Sequence, residues 1–194
     1  QQKNTQRGFT LVEVMVSLMI FMIVVLAAIG SLYSVNSASR KVQSMRTVLD
    51  NVTFAVESIS RTIRTGQYVI CGGLTNSIPG ADPNCPFSNQ NPSSTLLVYN
   101  TLGTPGRVQY RAGVNKNGGG SIQKQVEEGC PFACVWGEWI SLTAPEVNVQ
   151  NLSFYVDGAD SADGAQTSVA IVINGVATTA DDATSFAVQT YVSE

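Results

Sequence analysis

A single carboxylate, Glu13, interrupts an apolar run that extends from Phe9 to Tyr33. Charge in a hydrocarbon environment costs about 2.5 to 3.5 kcal/mol even on lenient insertion scales. Glu13 therefore needs a compensating partner, or a place near the helix N-terminus where the helix dipole favours negative charge. Both explanations fit an isolated carboxylate at this position.

Four cysteines form two couples along the sequence, Cys71 with Cys85 and Cys130 with Cys134. All four follow the apolar run, so a membrane-spanning run would place them outside the cytoplasm, where an even number of cysteines indicates disulfides. Three pairings are possible, and sequence proximity favours the two local ones. A zinc site or a thioredoxin-type redox pair fits less well, because Cys130 and Cys134 enclose three residues and the chain has no histidine.

Three aspartates, Asp157, Asp160 and Asp163, form the best candidate for a metal site. Their spacing of three does not match the alternate oxygen ligands and distal Glu of a calcium-binding EF-hand loop. A solvated loop is the favoured interpretation, with structural calcium as the alternative. We expect no metal and no cofactor.

Catalysis and nucleic-acid binding have little support in the composition. The chain of 194 residues lacks histidine, the commonest general base, and it has no G-x-S-x-G or phosphate-loop motif. Its 11 basic and 14 acidic residues give a net charge of −3, whereas phosphate binding needs clustered Lys and Arg. Trp136 and Trp139 have no basic cluster beside them in the sequence, which favours core or edge packing over a stacking platform. We expect a protein that is not an enzyme and has no nucleic-acid partner.

The apolar run is long enough to cross a bilayer as one helix, since about 20 residues suffice. A cleaved secretory signal is disfavoured by the short leader and by the absence of a small-x-small cleavage site. Lys3 and Arg7 are the basic residues before the run, and they place the leader in the cytoplasm and the rest of the chain on the far side.

The stretch Arg7-Gly8-Phe9-Thr10-Leu11-Val12-Glu13 resembles the N-terminal signal of type IV prepilins and type II secretion pseudopilins. The resemblance implies that a prepilin peptidase cuts between Gly8 and Phe9 and methylates the new terminus at Phe9. It also answers the question that Glu13 raises, because cleavage creates an ammonium one helical turn from the carboxylate. In this family the carboxylate pairs with the amine of a neighbouring subunit and sets its register, and a pair within one chain is the alternative.

Beyond Tyr33 an amphipathic pattern predicts that the same helix continues to Thr65, with Gly66 as a C-cap. Gly30 lies where the apolar and amphipathic halves meet. We predict that it softens the helix during assembly, and small-residue packing between helices is the alternative. The predicted buried stripe consists of Val42, Met45, Leu49, Val52, Val56, Ile59 and Ile63.

Short runs with period-2 alternation follow Gly66 and predict a β-rich head. The predicted strands are 95–99, 107–111, 122–126, 136–142, 147–156, 168–173 and 186–192. The expected fold is therefore α+β: one long N-terminal helix packed on a mostly antiparallel sheet. The expected segments are a leader (1–8), a transmembrane or filament-core helix (9–33), the amphipathic half of that helix (34–66) and a globular head (67–194).

The order of the last strands resembles the larger minor pseudopilins, the J-type or PilW-like subunits. The resemblances together imply a structural minor pilin or pseudopilin of a type IV pilus or a type II secretion pseudopilus, with the tip of the filament as one option for its position. Expected partners are other pilin subunits, prepilin peptidase, the inner-membrane assembly platform and, before assembly, membrane lipid. The expected location is the inner membrane with an extracytoplasmic head, and later a filament. The alternative function is an extracytoplasmic binding or adhesin domain that the helix only tethers.

Overall fold

The computed structural model of the chain describes residues 8–72, 83–89, 91–100, 106–128, 135–160, 164–178 and 183–193. The chain divides into two compact units, one up to Gln43 and one from Ser44 onward. The segment boundaries predicted after residues 8, 33 and 66 concern processing and membrane position, and they stay predictions.

A single α-helix, α1 (Leu11–Thr65), begins the described structure, and the predicted long helix is confirmed. Its buried side chains in the second unit are Val48, Val52, Ala55, Ile59 and Ile63. They belong to one core cluster with residues of the β-strands. Burial of this apolar stripe supplies most of the stability of such a helix.

The predicted stripe is right at Val52, Ile59 and Ile63, whose side chains are buried. It is wrong at Val42 and Leu49, whose side chains are 52% and 42% exposed. At about 100° per residue, Leu49 lies about 60° around the helix from Val52, at the margin of the buried face. Val48 and Ala55 complete that face instead. Val42 belongs to the other unit and has no core beneath it in its own unit.

The first sheet of the head has six strands, and its main path runs β1-β2-β3-β4-β5, with β6 also paired to β4. All its pairings are antiparallel. The strands are β1 (Tyr68–Cys71), β2 (Thr95–Asn100), β3 (Gly106–Val114), β4 (Gly120–Glu128), β5 (Val135–Trp136) and β6 (Ile140–Ser141). The strand β1 was not predicted, because four residues are too few to show a period.

The second sheet has three antiparallel strands in the order β7-β8-β9. They are β7 (Val147–Asp157), β8 (Ser168–Thr178) and β9 (Ala183–Ser193). Along the edge of β7 that does not pair with β8, isolated β-bridges join Cys85 to Val156 and Ser93 to Phe154. A 3-10 turn (Phe87–Asn89) lies between those two bridges in the sequence. The expected α+β fold with antiparallel pairing is confirmed, with two sheets in the head.

The predicted strand 136–142 is broken into β5 and β6 by residues 137–139. The backbone N–H of Gly137 still donates to Val126 at 2.9 Å, and Gln125 donates through its side chain to the carbonyl of Gly137 at 2.8 Å. A side-chain hydrogen bond thus replaces part of the backbone hydrogen bonding between β4 and this segment.

Two glycines are required by close approach between elements. A Cβ at Gly66 would lie 2.4 Å from Cγ1 of Val98, and one at Gly120 would lie 1.9 Å from the carbonyl oxygen of Val149. Gly66 follows the last residue of α1, as predicted, but it is not among the glycines with positive φ. Its role in the structure is packing against β2 rather than a left-handed cap.

Candidate functional site

The first turn of α1 places Glu13 in an exposed position. The side-chain oxygen of Thr10 accepts a hydrogen bond from the backbone N–H of Glu13 at 3.3 Å, which is N-cap geometry. The hydroxyl of Ser17 donates to the Glu13 carbonyl at 2.8 Å. These bonds use only the backbone of Glu13. Among the residues that the structure describes, none bonds or ion-pairs with its carboxylate.

Gly8 and Gly30 have open space around them. A Cβ added at either position would meet no atom within 4 Å. Packing within the chain therefore does not require glycine at these positions. The helix α1 is continuous through Gly30, and the predicted softening at this residue stays a prediction.

The large side chains in the apolar half of α1 are exposed. Phe9 is 82% exposed, and the valines, leucines, isoleucines and methionines that follow it, apart from Val25, are exposed by half or more. This helix is long and apolar enough to cross a membrane, and none of its most apolar window is buried. An exposed apolar surface of this extent indicates contact with lipid or with other proteins.

The disulfide Cys71–Cys85 is present in the head, with Cα atoms 5.9 Å apart. Backbone bonds hold the same region: Cys71 donates to Pro83 at 2.9 Å, and Cys85 and Val156 exchange bonds of 2.9 and 3.2 Å. The second couple, Cys130 and Cys134, lies outside the described residues, and its pairing stays a prediction.

Both tryptophans of the head contact an arginine that is distant in sequence. The guanidinium carbon of Arg111 lies 3.8 Å from the ring centre of Trp139, and that of Arg107 lies 5.3 Å from Trp136. These are cation–π distances. The sequence shows no basic cluster beside the tryptophans, and the pairing of β4 with β3, β5 and β6 brings one arginine of β3 to each ring. Intramolecular arginines thus cover these rings, which agrees with the predicted packing role.

An ion pair joins β3 to β4 beside Trp136. The Nε of Arg107 donates to a carboxylate oxygen of Glu127 at 2.8 Å, and the backbone N–H of Arg107 donates to the same oxygen at 3.2 Å. The Glu127 side chain is 4% exposed. The hydrogen bonds from Arg107 lower the pKa of Glu127 and outweigh its desolvation. This cluster links β3 to β4 and stabilises the fold.

The aspartate loop does not assemble a metal site within the described part of the chain, where no group of three candidate ligands is found. Asp157 accepts a hydrogen bond from the backbone N–H of Gly158 at 3.1 Å. Asp163 lies outside the described residues. The prediction of no metal and no cofactor therefore stays a prediction.

Comparison with known proteins identifies the N-terminal segment. Residues 3–29 match a family described as the prokaryotic N-terminal methylation motif. The chain therefore carries an N-terminal methylation motif, which supports a type IV pilin or pseudopilin family. This match contains Gly8, Phe9 and Glu13, the residues on which the resemblance in the sequence depends. Neither a curated protein nor a solved structure matches the chain significantly.

The motif has consequences for the partners and the location of this chain. It implies processing by prepilin peptidase and assembly with other pilin subunits, and it points to a structural protein rather than an enzyme. Together with the exposed apolar helix it indicates a single-pass membrane anchor.

Proposed function

We propose that this chain is a minor subunit of a type IV pilus or a type II secretion pseudopilus. Its leader is removed after Gly8, Phe9 becomes the methylated N-terminus, and the apolar half of α1 moves from lipid into the core of the filament. The head faces outward, and the assembly platform of the inner membrane drives the transfer. The observation that carries the proposal is the methylation motif at residues 3–29.

The geometry at Glu13 supports assembly between subunits. Its carboxylate is exposed and has no partner in the described chain, so a neighbouring subunit can supply the positive charge. Transfer of the apolar helix from lipid to other helices changes its hydrophobic free energy little, since both surroundings are apolar. Charge pairing and close packing therefore determine which subunits join and in which register.

The first test is the fate of the leader in a bacterium that carries prepilin peptidase. We expect the full chain to begin at a methylated Phe9, and the variant Gly8→Arg to keep its leader. The matched control is Gly30→Ala, because both glycines have open surroundings in the structure. Intact mass and the N-terminal peptide mass give the answer. Normal cleavage of Gly8→Arg would contradict the proposed site.

The second test separates assembly from simple tethering. We expect Glu13→Ala to be processed normally but to be lost from sheared filaments, because the incoming amine has no carboxylate to meet. The control is Glu57→Ala, which removes an exposed carboxylate from the same helix. A tethered binding or adhesin domain would need neither processing nor filament recovery, so absence of the wild-type chain from sheared filaments favours that alternative. Normal filament content of Glu13→Ala would contradict the proposed role of its carboxylate.

A further inference from the structure

The long helix leaves part of the first sheet uncovered. On the face that α1 covers, Tyr110 of β3 is fully buried, and its phenol bonds to the Thr62 hydroxyl of α1 at 2.7 Å. The next two strands continue the same row: Tyr110 lies opposite Lys124 of β4, and Lys124 lies opposite Ile140 of β6. Side chains directly opposite each other share a face of the sheet. Lys124 is partly buried and Ile140 is 63% exposed, so in the described structure the cover ends at β4.

A groove of about 520 Å³ lies beside α1 at this margin. It is lined by Phe54, Glu57, Ser58, Arg61, Thr62 and Thr65 of α1 and by Lys124. The helix positions are three or four residues apart, so they form one stripe of about 16 Å at 1.5 Å per residue. An extended peptide of about five residues spans the same length. The volume is in the range of ligand pockets in proteins.

The threonine hydroxyls of the groove use their protons within the head. Thr62 donates to the carbonyl of Ser58 at 2.9 Å, so the Tyr110 phenol is the donor in its bond to Thr62. Thr65 donates to a carbonyl of the preceding helical turn at 3.0 Å. Neither threonine therefore has a proton for a ligand. The cationic side chains are the strongest donors left in the groove.

Two cations face the groove without an ionic partner among the described residues. No ion pair joins Arg61 or Lys124 to Glu57 or to another described acid. The Lys124 ammonium lies 5.9 Å from the centre of the Tyr110 ring, at the outer limit of a cation–π contact. Burial lowers the pKa of Lys124, and no carboxylate opposes this effect. A partly desolvated cation of this kind is stabilised when an opposite charge reaches it.

The other side chains of this surface narrow the class of ligand. Two cations and the one carboxylate of Glu57 leave the groove with a net charge of +1, which favours an acidic ligand over a basic one. Phe54 is 65% exposed at one end of the stripe, and Ile140 lies beyond Lys124 in the same row. A small free anion would leave both apolar side chains in water. A peptide that carries apolar side chains beside an acid can cover them.

We propose that this groove binds a short acidic segment of a partner protein. One Asp or Glu side chain of the segment pairs with Lys124 and Arg61, and apolar side chains on either side of it pack against Phe54 and Ile140. Such an apolar contact around a charge pair is typical of protein interfaces. The interaction involves the head alone and does not depend on processing at Gly8.

The first test selects peptides on the full chain in phosphatidylcholine nanodiscs. A phage library displays random peptides of about seven residues, slightly longer than the groove. Prior passage over empty nanodiscs removes lipid binders. We expect the enriched peptides to carry an Asp or Glu with an apolar residue on each side. Selection on Lys124→Met should lose this enrichment, and selection on the matched variant Lys116→Met, an exposed lysine after β3, should keep it.

A double-mutant cycle on the best selected peptide then measures the charge pair. Replacement of its acid by the corresponding amide should weaken binding to the wild-type chain about tenfold or more in fluorescence anisotropy. The same replacement should change binding to Lys124→Met less than about twofold, because the opposite charge is absent. The urea midpoint of Lys124→Met should equal or exceed that of wild type, because methionine keeps the apolar stem and removes a partly desolvated charge.

Four results would overturn the proposal. The first is a selection that yields no acidic peptide binding more tightly than about 1 mM. The second is an equal effect of the amide replacement on wild type and Lys124→Met. The third is binding of free succinate or phosphate as tight as that of the peptide, which would indicate a site for a small anion. The fourth is a lower urea midpoint of Lys124→Met, which would show that the ammonium already has a stabilising partner within the fold.

Discussion

Removal of the Cys71–Cys85 disulfide should destabilise the head through its unfolded state. The cysteines are 14 positions apart, so the bridge closes a loop of about 15 residues. A loop of that length restricts the unfolded chain by about 3 kcal/mol in the chain-entropy account. Backbone bonds of Cys71 and Cys85 to Pro83 and Val156 do not involve sulfur and remain available. The folded geometry should therefore survive in the double variant Cys71→Ala/Cys85→Ala.

Urea unfolding of the full chain in nanodiscs, followed by tryptophan fluorescence, measures this loss. Both tryptophans, Trp136 and Trp139, belong to the unit that contains the bridge. With a slope of about 2 kcal/mol per molar urea, a loss of 3 kcal/mol lowers the midpoint by about 1.5 M. A shift below about 0.5 M would refute the entropic reasoning, because it would mean that the bridge constrains little.

Reduction of the wild-type chain is the matched control for the alanine substitutions. Reduction breaks the bridge but keeps both sulfur atoms, one of which is buried at Cys71. If reduced wild-type protein is less stable than the double variant without reductant, the excess loss does not come from the Cys71–Cys85 bridge. It then reports on Cys130 and Cys134, whose predicted bridge would be broken in the reduced sample and kept in the double variant.

Two further substitutions test the core and the ion pair. Ile59→Ala should lower the free energy of unfolding by about 2 to 5 kcal/mol, because Ile59 is fully buried between α1 and the strands. Phe54 lies on the same helix and is 65% exposed, so Phe54→Ala should change that free energy by less than about 0.5 kcal/mol. Glu127→Gln should cost about 1.5 kcal/mol at pH 7, at the low end for bonds to charged groups because Arg107 is partly exposed.

The pH dependence of stability supplies the check on Glu127. Its pKa is lower in the folded chain than in the unfolded chain, mainly because Arg107 donates to it. The stabilisation is therefore present above the unfolded carboxyl pKa of about 4.3 and is lost as the pH falls through the folded value. Wild type and Glu127→Gln should converge in stability in acid. A stability difference between wild type and Glu127→Gln that persists below both pKa values would show that the ion pair does not cause it. Equal stability of Ile59→Ala and Phe54→Ala would contradict the burial argument.

The sequence predicted the helix and the strands whose hydrophobic pattern repeats every few residues. The apolar and amphipathic periods gave α1 nearly to the residue, and alternation gave β2, β3, β4, β7, β8 and β9 with shorter bounds. The observed strands are longer than the predicted ones. Most of the added residues belong to a strand because they pair with a neighbouring strand, and not because of their own residue types. The predicted buried stripe on α1 is wrong at Leu49, because a pattern of apolar and polar residues does not show where the buried face of the helix ends.

Contacts between distant residues were beyond the sequence argument. Arg107 and Glu127 are 20 residues apart, and neither is near Trp136 until β3, β4 and β5 are paired. The same holds for Gly120, which follows two other glycines in the sequence but lies where the carbonyl of Val149 leaves no room for a Cβ. The order of the strands in the two sheets is also not revealed by alternation.

The apolar half of α1 exposes Phe9 and the side chains that follow it, and either lipid or other apolar helices can cover them. The two kinds of cover are close in hydrophobic free energy, because both are apolar. A neighbouring subunit can in addition supply a positive charge to Glu13, whose carboxylate has no partner among the described residues. This difference is why we propose that the chain moves from the membrane into a filament.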